Sequence, residues 1–555
     1  MHDQNVTKKG LALLHDSLLN KGTAFTEQER QDFDLEGYLP IGIDNQQAQI
    51  ERCKKHLAAL DTDLHQYIYL ANLQDHNETL YYNLLMSDPS QFLPIVYDPT
   101  VGEACLKFGH IYRRPRGLYI SYKHKGRIKE MLQNRPEKDV RFIVITDGSR
   151  ILGLGDLGSN GMGIPIGKLA LYTATAGVPP QYQLPVMFDV GTDNPTYLND
   201  PLYLGLKETR DETQAYYELM DEFVDAVQQV YPKCCIQFED FANYKAIGLL
   251  EKYRDSICMF NDDIQGTASV TVAGFYSAKR YTGKKLSDHR ILFLGAGSAA
   301  HGIADLLCYG MQQEGLSADA AKQNCWMFDT KGLVVQGRDR LEPFKKPYAK
   351  DFDHIQDFVE CIRQIKPTAI VGVSTTPQLF TQEVIEAMSD INDNPLIFPL
   401  SNPTSQEECT AEQAYTYSKG KALFAAGVLF DPVSVHGKTH YPAQANNLWI
   451  FPAVGMAVCA TEATRVTDEM FLVAAQTLAD QLTDDQIQSG MLFPPESDIL
   501  KVSLQISAAV AQVIFDQGLA GKDVQRPDYD DHIIKLIEQK AYHPFYQHYI
   551  AANQS

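Results

Sequence analysis

The stretch Ile291-Leu-Phe-Leu-Gly295-Ala-Gly297-Ser298-Ala-Ala-His-Gly302-Ile-Ala decides the fold. Its first four residues form an unbroken apolar run, as a strand covered on both faces requires. Gly295 then permits a tight turn and Gly297 lets phosphate approach the backbone. The helix that follows offers its free N-terminal amides to a pyrophosphate. The spacing is longer than G-x-G-x-x-G, because the next glycine is Gly302. A strand before, a helix after and a further strand ending in Asp329 make this a dinucleotide site and not just a tight turn. Asp329 suits an adenosine ribose, which favours NAD; Lys331, Lys345 and Lys346 suit a 2′-phosphate. These residues leave the choice open.

Outward from this turn, short apolar runs alternate with helical patterns. RILFLGAG, CWMFDT, AIVGVS, LIFPLSNP and LFAAG make one set of strands from Arg290 onward. RFIVITDG, LPVMFDVG and CCIQFEDF make another from Arg141, with helices at 166–175 and 212–230. Such alternation predicts βαβ units on mostly parallel sheets. The expected fold is α/β: two α/β domains, one of them Rossmann-type, with a helical N-terminal region and a helical C-terminal segment. The expected division is 1–115 (helical, an oligomer interface), 116–261 with 447–517 (substrate and metal), 262–446 (dinucleotide) and 518–555 (helical tail).

Composition narrows the function. The chain has 555 residues with 49 Lys+Arg against 70 Asp+Glu, a net charge of −21, which repels phosphate backbones and argues against a nucleic-acid reader. Apolar residues make up 44%, enough for a large core. Ten scattered cysteines, none in a CxxC pair, read as reduced thiols. By this reading no segment reaches the roughly 20 apolar residues of a membrane span and the N-terminus carries no targeting pattern, so the cytoplasm is the expected compartment.

Two acidic pairs stand at expected strand ends: Glu239-Asp240 after CIQF and Asp262-Asp263 in FNDDIQGT. An isolated pair is ordinarily a solvated turn. Two pairs flanked by strand residues predict an oxygen-ligand site for Mg²⁺ or Mn²⁺. The segment 146–168 holds glycine at 153, 155, 158, 161, 163 and 167 and then Lys168. That much glycine predicts a loop wrapped round a small ligand. Lys168, beside Ile164, Ile166 and Leu169, is expected to be desolvated, with a pKa lowered toward that of a general base. Arg150 offers a bidentate fork for a carboxylate.

Together the strings LPIVYDPTVGEAC, TDGSRILGLGDLGSNGMGIPIGKLALYTA, LPVMFDVGTDN, QFEDF, FNDDIQGTASV, FLGAGSAAHGIA, PLSNPTS and QANNLWIFP resemble those of malic enzymes, in family order and over nearly the whole chain. The resemblance implies oxidative decarboxylation of L-malate to pyruvate and CO₂, with reduction of NADP or NAD and a divalent metal, and a related decarboxylation of oxaloacetate. Carried over residue by residue, it implies Lys168 as base, Tyr97 as acid and Asp262 as support for Lys168. Glu239, Asp240 and Asp263 become metal ligands, and Arg150, Asn402 and Asn447 substrate-binding residues. Arg150, Gly295, Gly297, Ser298, Ala299, Asp329, Lys345 and Asn402 become cofactor contacts. Lys345 matches the position where NADP-dependent members carry lysine, so the resemblance favours NADP, with NAD as the alternative. It also implies a homotetramer or homodimer.

Three departures stand out. Asp98 follows Tyr97 where the family usually has Thr, as in malolactic enzymes. Gly427-Val-Leu-Phe430 replaces Gly-Ser-Pro-Phe. His76 lies where fumarate-activated members carry Arg. Malolactic enzyme, which keeps NAD bound and releases lactate, is therefore one rival. A non-catalytic dinucleotide-binding regulator is the other, and it predicts erosion of acid–base groups that are all present here.

Overall fold

The computed structural model describes residues 3–402 and 404–552. Near its N-terminus lies β1 (Asp3–Val6), followed by helices up to Ile111. The first large sheet comprises β2 (Leu118–Ile120), β3 (Phe142–Thr146), β4 (Gln183–Phe188), β5 (Cys235–Phe238) and β6 (Met259–Asn261). Its order is β2-β4-β3-β5-β6, parallel throughout. The second comprises β7 (Ile291–Leu294), β8 (Cys325–Asp329), β9 (Gly332–Leu333), β10 (Ala369–Gly372), β11 (Leu396–Pro399) and β12 (Leu423–Ala426). The hairpin β13 (Val433–Val435) and β14 (Lys438–His440) follows, and then β15 (Ala443–Gln444), which rejoins the sheet. The order β15-β12-β11-β10-β7-β8-β9 is parallel except for β9, which runs antiparallel to β8. Every residue of β3, β5, β7, β10 and β11 is buried, which is why these strands read as continuous apolar runs.

Against the first sheet pack helices that are buried on nearly every face. In Phe451–Thr461 all eleven residues are buried, and it crosses Gly163–Ala176 so closely that a Cβ at Gly455 would lie 2.1 Å from Tyr172 Cε1. Each aliphatic or aromatic side chain enclosed here stabilises the fold by about 1.5–3 kcal/mol. Gly163–Ala176 ends on Gly177 at φ +75°, a left-handed cap that glycine adopts without strain.

Two sequence expectations need correction. The C-terminal segment is not helical to its end. After the helix Asp530–Lys540 it forms β16 (His548–Ala551), which pairs in parallel with β1. Tyr549 enters a pocket with Phe25 and Phe33, under the ammonium of buried Lys21, 3.6 Å from the ring centroid. Four-residue strands separated by more than 500 positions carry no local periodicity to reveal them. Secondly, one helix, Glu496–Asp516, is long and apolar enough to cross a membrane by length and composition. It packs against Phe451–Thr461 and Asp468–Asp480, and its hydrophobicity serves the core.

His289, just before β7, is buried against Phe275 with Nδ1 2.9 Å from Thr368 Oγ1. Burial, aided by Lys284, pushes its pKa from 6.5 down to about 4. The unfolded chain therefore binds a proton that the fold refuses, and stability is lost as pH falls from 6.5 toward 4, by about 3 kcal/mol in all. The stability advantage of wild type over His289→Gln, followed by denaturant midpoint, should shrink by that amount from pH 7.5 to 4; a pH-independent difference would refute it.

Candidate active site

The C-terminal ends of β5 and β6 deliver the acids. β5 runs into Glu239 and Asp240. β6 runs into a wide turn, Asp262–Gly266, capped by the Asn261 side chain on the Ile264 amide. Ligand oxygens of Glu239, Asp240 and Asp263 lie within 4.8 Å of one another. The backbone amide of Asp240 donates to Asp263 Oδ2 (2.7 Å), that of Leu152 to Asp240 Oδ1 (3.3 Å), and the Gln237 side chain to Glu239 Oε2 (2.7 Å). Asp240 Oδ2 is buried with no hydrogen-bond partner, and Asp240 adopts φ +56°, a left-handed conformation that costs an aspartate about 1 kcal/mol. Burial first, then mutual repulsion, raises the pKa of Glu239 and Asp240 well above the carboxylate range and raises that of Asp263. An all-oxygen trio with one orphaned oxygen fits a hard dication.

Lys168, 2% exposed, sits in Gly163–Ala176 with Nζ 2.5 Å from Asp262 Oδ2 and 2.9 Å from Glu239 Oε1. Here the sequence reading is corrected. Burial does act to lower its pKa, but Asp262 and Glu239 outweigh burial and hold the ammonium above the usual lysine range. The apolar neighbours along the helix were visible in the sequence; the acids come from other strands. Tyr97 caps Pro89–Val96, its ring 5.3 Å from Lys168 Nζ. A Cβ at Gly167 would lie 2.9 Å from Tyr97 Cδ2, so this glycine is what lets phenol and amine share one wall. Burial pushes the Tyr97 phenol well up despite Lys168, which keeps it protonated.

The other glycines of 146–168 are also spent mainly on the protein itself. Added Cβ atoms would meet Tyr203 at Gly158, Ile151 at Gly161 and Cys105 at Gly163. The segment does line the cleft through Arg150 and Leu152, but the expectation of a loop wrapped round ligand is corrected to one of close chain packing.

One cleft between the sheets is lined by Tyr97, Asp98, Arg150, Lys168, Glu239, Asp240, Asp263, Ser298, Ala299, Asn402 and Asn447. Asp262 lies behind it, fully buried, taking Asn447 Nδ2 at 3.0 Å as well as Lys168. Asn447, expected to grip substrate, lines the cleft and also donates its amide to Asp262. Asn402 Oδ1 is buried and unpartnered. The sequence reading missed Asn243, whose Oδ1 accepts from the Arg150 guanidinium and from Ser298 Oγ (2.8 Å), joining the two sheets. Its position, two residues after the FEDF string, was the available signal.

Toward the adenosine end of the dinucleotide path, Gly295 has φ +114°, and a Cβ there would lie 2.5 Å from Val373 O. Gly297 is the N-cap of Ser298–Gln313, without a side-chain cap, leaving the first amides free. Asp329, at the end of β8, takes Arg338 Nη2 at 2.9 and 3.0 Å and Lys345 Nζ at 2.9 Å. Lys345 is buried, whereas Lys331 and Lys346 are exposed. The aspartate is thus a holder of two cations, one of which, Arg338, the sequence reading overlooked because it lies in an irregular loop.

Residues 74–254 match the family model described as malic enzyme, N-terminal domain, and residues 264–515 that described as malic enzyme, NAD binding domain. The chain belongs to the malic enzyme family. It is 50% identical to NADP-dependent malic enzyme 1 of Arabidopsis thaliana over 97% of this chain and 93% of that one. It is 48% identical to the NADP-dependent malic enzyme of Columba livia over 97% of each. The malic enzyme of Entamoeba histolytica, 21% identical, shares the fold with a TM-score of 0.57 over 91% of this chain and 90% of that one.

In this malic enzyme the acid trio makes a direct prediction. Asn tolerates the left-handed conformation and removes one like charge. Asp240→Asn should raise the thermal midpoint of divalent-free protein by about 2–4 °C, as ~1 kcal/mol does in domains of this size. It should also abolish the further rise that Mn²⁺ gives wild type. An undiminished response to Mn²⁺ would remove Asp240 from the metal site.

Proposed function

We propose that this malic enzyme oxidises L-malate with NADP and releases pyruvate and CO₂, using Lys168 as base and Tyr97 as acid. The observation that carries the reading is the convergence, in one cleft, of an amine, a buried phenol and three acids beside the glycine turn of the second sheet. Glu239, Asp240 and Asp263 would hold Mg²⁺ or Mn²⁺. Bound there, the dication would supply Lewis acidity toward the oxygens of malate. Arg150 and Asn402 orient the substrate carboxylates, and Asn447 holds Asp262. Lys168 Nζ first passes one proton to Asp262 Oδ2, 2.5 Å away, and the neutral amine then takes the proton of the C2 hydroxyl while the C2 hydride leaves for the nicotinamide. The C3–C4 bond of the resulting ketone then breaks with loss of CO₂. The Tyr97 hydroxyl, kept neutral by burial, protonates C3 of enolpyruvate.

Preference for NADP is supported by Arg338 and Lys345 at Asp329, which present two cations where a 2′-phosphate would lie, and by the names of the relatives. Ten unpaired, buried cysteines agree with a reducing compartment, for which we propose the cytoplasm. Apolar side chains exposed in the N-terminal region, Tyr38, Ile41 and Ile43 among them, support assembly as a homodimer or homotetramer.

Lys168→Ala should lower malate oxidation at least 1000-fold while NADP⁺ binding stays within about threefold; near-normal turnover would displace Lys168 as base. Lys345→Gln should raise KM for NADP⁺ about 10- to 100-fold, the worth of one charge-assisted hydrogen bond, and leave KM for NAD⁺ nearly unchanged. Equal change for both cofactors would overturn the 2′-phosphate assignment. Lactate released without free NADPH would favour the malolactic chemistry that Asp98 suggests.

A further inference from the structure

Below the ends of β10 and β11 lies a carboxylate for which the reaction just described has no use. Glu408 is fully buried, at 0% exposure. Its Oε1 accepts from the Ser374 amide (2.9 Å), Ser374 Oγ (2.8 Å) and Ser401 Oγ (2.6 Å), and its Oε2 from the Ser401 amide (3.4 Å). Three donors on one oxygen are an arrangement that stabilises a carboxylate. Among the described residues no Lys, Arg or His forms an ion pair with it. An uncompensated buried charge is costly, so the strands are built round it: at Gly372, the last residue of β10, a Cβ would lie 2.5 Å from Glu408 Cδ.

The residues it holds border the cleft. Ser401 lines it directly, and Val373 and Thr375, on either side of Ser374, line it too. Ser401 Oγ accepts from the Thr375 amide (2.9 Å), and Thr375 itself is at φ +54°. These strand ends lie on the path from the glycine turn to Lys168, where the nicotinamide must sit to receive a hydride. The ring is cationic when oxidised and neutral when reduced. A fixed anion in a water-poor setting therefore acts on one redox state and not the other.

We propose that the buried carboxylate of Glu408 is a positioning residue that orders the ends of β10 and β11 and whose charge biases the cleft toward the oxidised, cationic nicotinamide. The proposal rests on the assignment of this cleft to a nicotinamide dinucleotide. Any repulsion between Glu408 and the phosphates is common to both redox states, so the informative quantity is the ratio of the two dissociation constants.

The test compares Kd for NADP⁺ and NADPH by calorimetry on the full-length enzyme. Wild type must bind both; failure there would defeat the cofactor reading itself, separately from the role of Glu408. Glu408→Gln, which keeps shape and removes charge, should raise Kd(NADP⁺)/Kd(NADPH) about tenfold. Glu408→Asp, which keeps charge and loosens the hydrogen bonds, should weaken both ligands while holding the ratio within about twofold. Ser401→Ala should do the same. If Glu408→Gln does not fold, Glu408→Met, similar in volume, serves as the charge-free variant. A ratio unchanged in the charge-free variant, whatever happens to the two affinities, would overturn the proposal.

Discussion

The gathering of three buried carboxylates and a half-buried fourth around a single ammonium is the constraint on which the rest depends. Glu239, Asp240, Asp262 and Asp263 come from the ends of two adjacent strands, and Lys168 is the cation that pairs with two of them. Like charges this close repel by several kcal/mol in a medium drier than water. The fold tolerates this because each acid accepts a hydrogen bond from a neighbouring group, Asp240 from the Leu152 amide. The Asp240 amide fixes Asp263, Gln237 fixes Glu239, and Asn447 fixes Asp262. Gln237 is itself tied to Tyr172 in the helix that carries Lys168 (2.5 Å). At Gly266 a Cβ would lie only 1.9 Å from Asp262 Oδ1, so even the backbone of the wide turn is shaped to leave that carboxylate its place.

What sequence could show follows from what is local. Strands buried on both faces read as apolar runs, and the turn at Gly295 reads as a phosphate cradle, because each is a property of ten or fewer consecutive residues. The acidic pairs were legible for the same reason. The charge state of Lys168 was not, since Asp262 is 94 positions away and nothing in the helix announces it. The link from Arg150 through Asn243 to Ser298, and the pairing of Arg338 and Lys345 on Asp329, are likewise products of chain return. The glycines of 146–168 show how composition can mislead: their abundance is real, but most of the small size is used against Tyr97, Cys105, Ile151 and Tyr203.

The two sheets divide the electrostatics between them. At one end of the dinucleotide path, Asp329 gathers Arg338 and Lys345 into a patch suited to phosphate. In the middle, the amides at the head of Ser298–Gln313, which no side chain caps, carry the partial positive charge of a helix N-terminus. At the other end stand Asp98, the acid trio, which faces Lys168 and the dication it would hold, and behind the cleft wall Glu408. An oxidised dinucleotide has the same polarity in reverse: anionic phosphates at the adenosine end and middle, a cationic ring at the reacting end. A protein with net charge −21 would repel such a polyanion from most of its surface. Under the proposed assignment, the cations at Asp329, the amides heading Ser298–Gln313 and the carboxylate of Glu408 would favour one orientation of the ligand, ring toward Lys168.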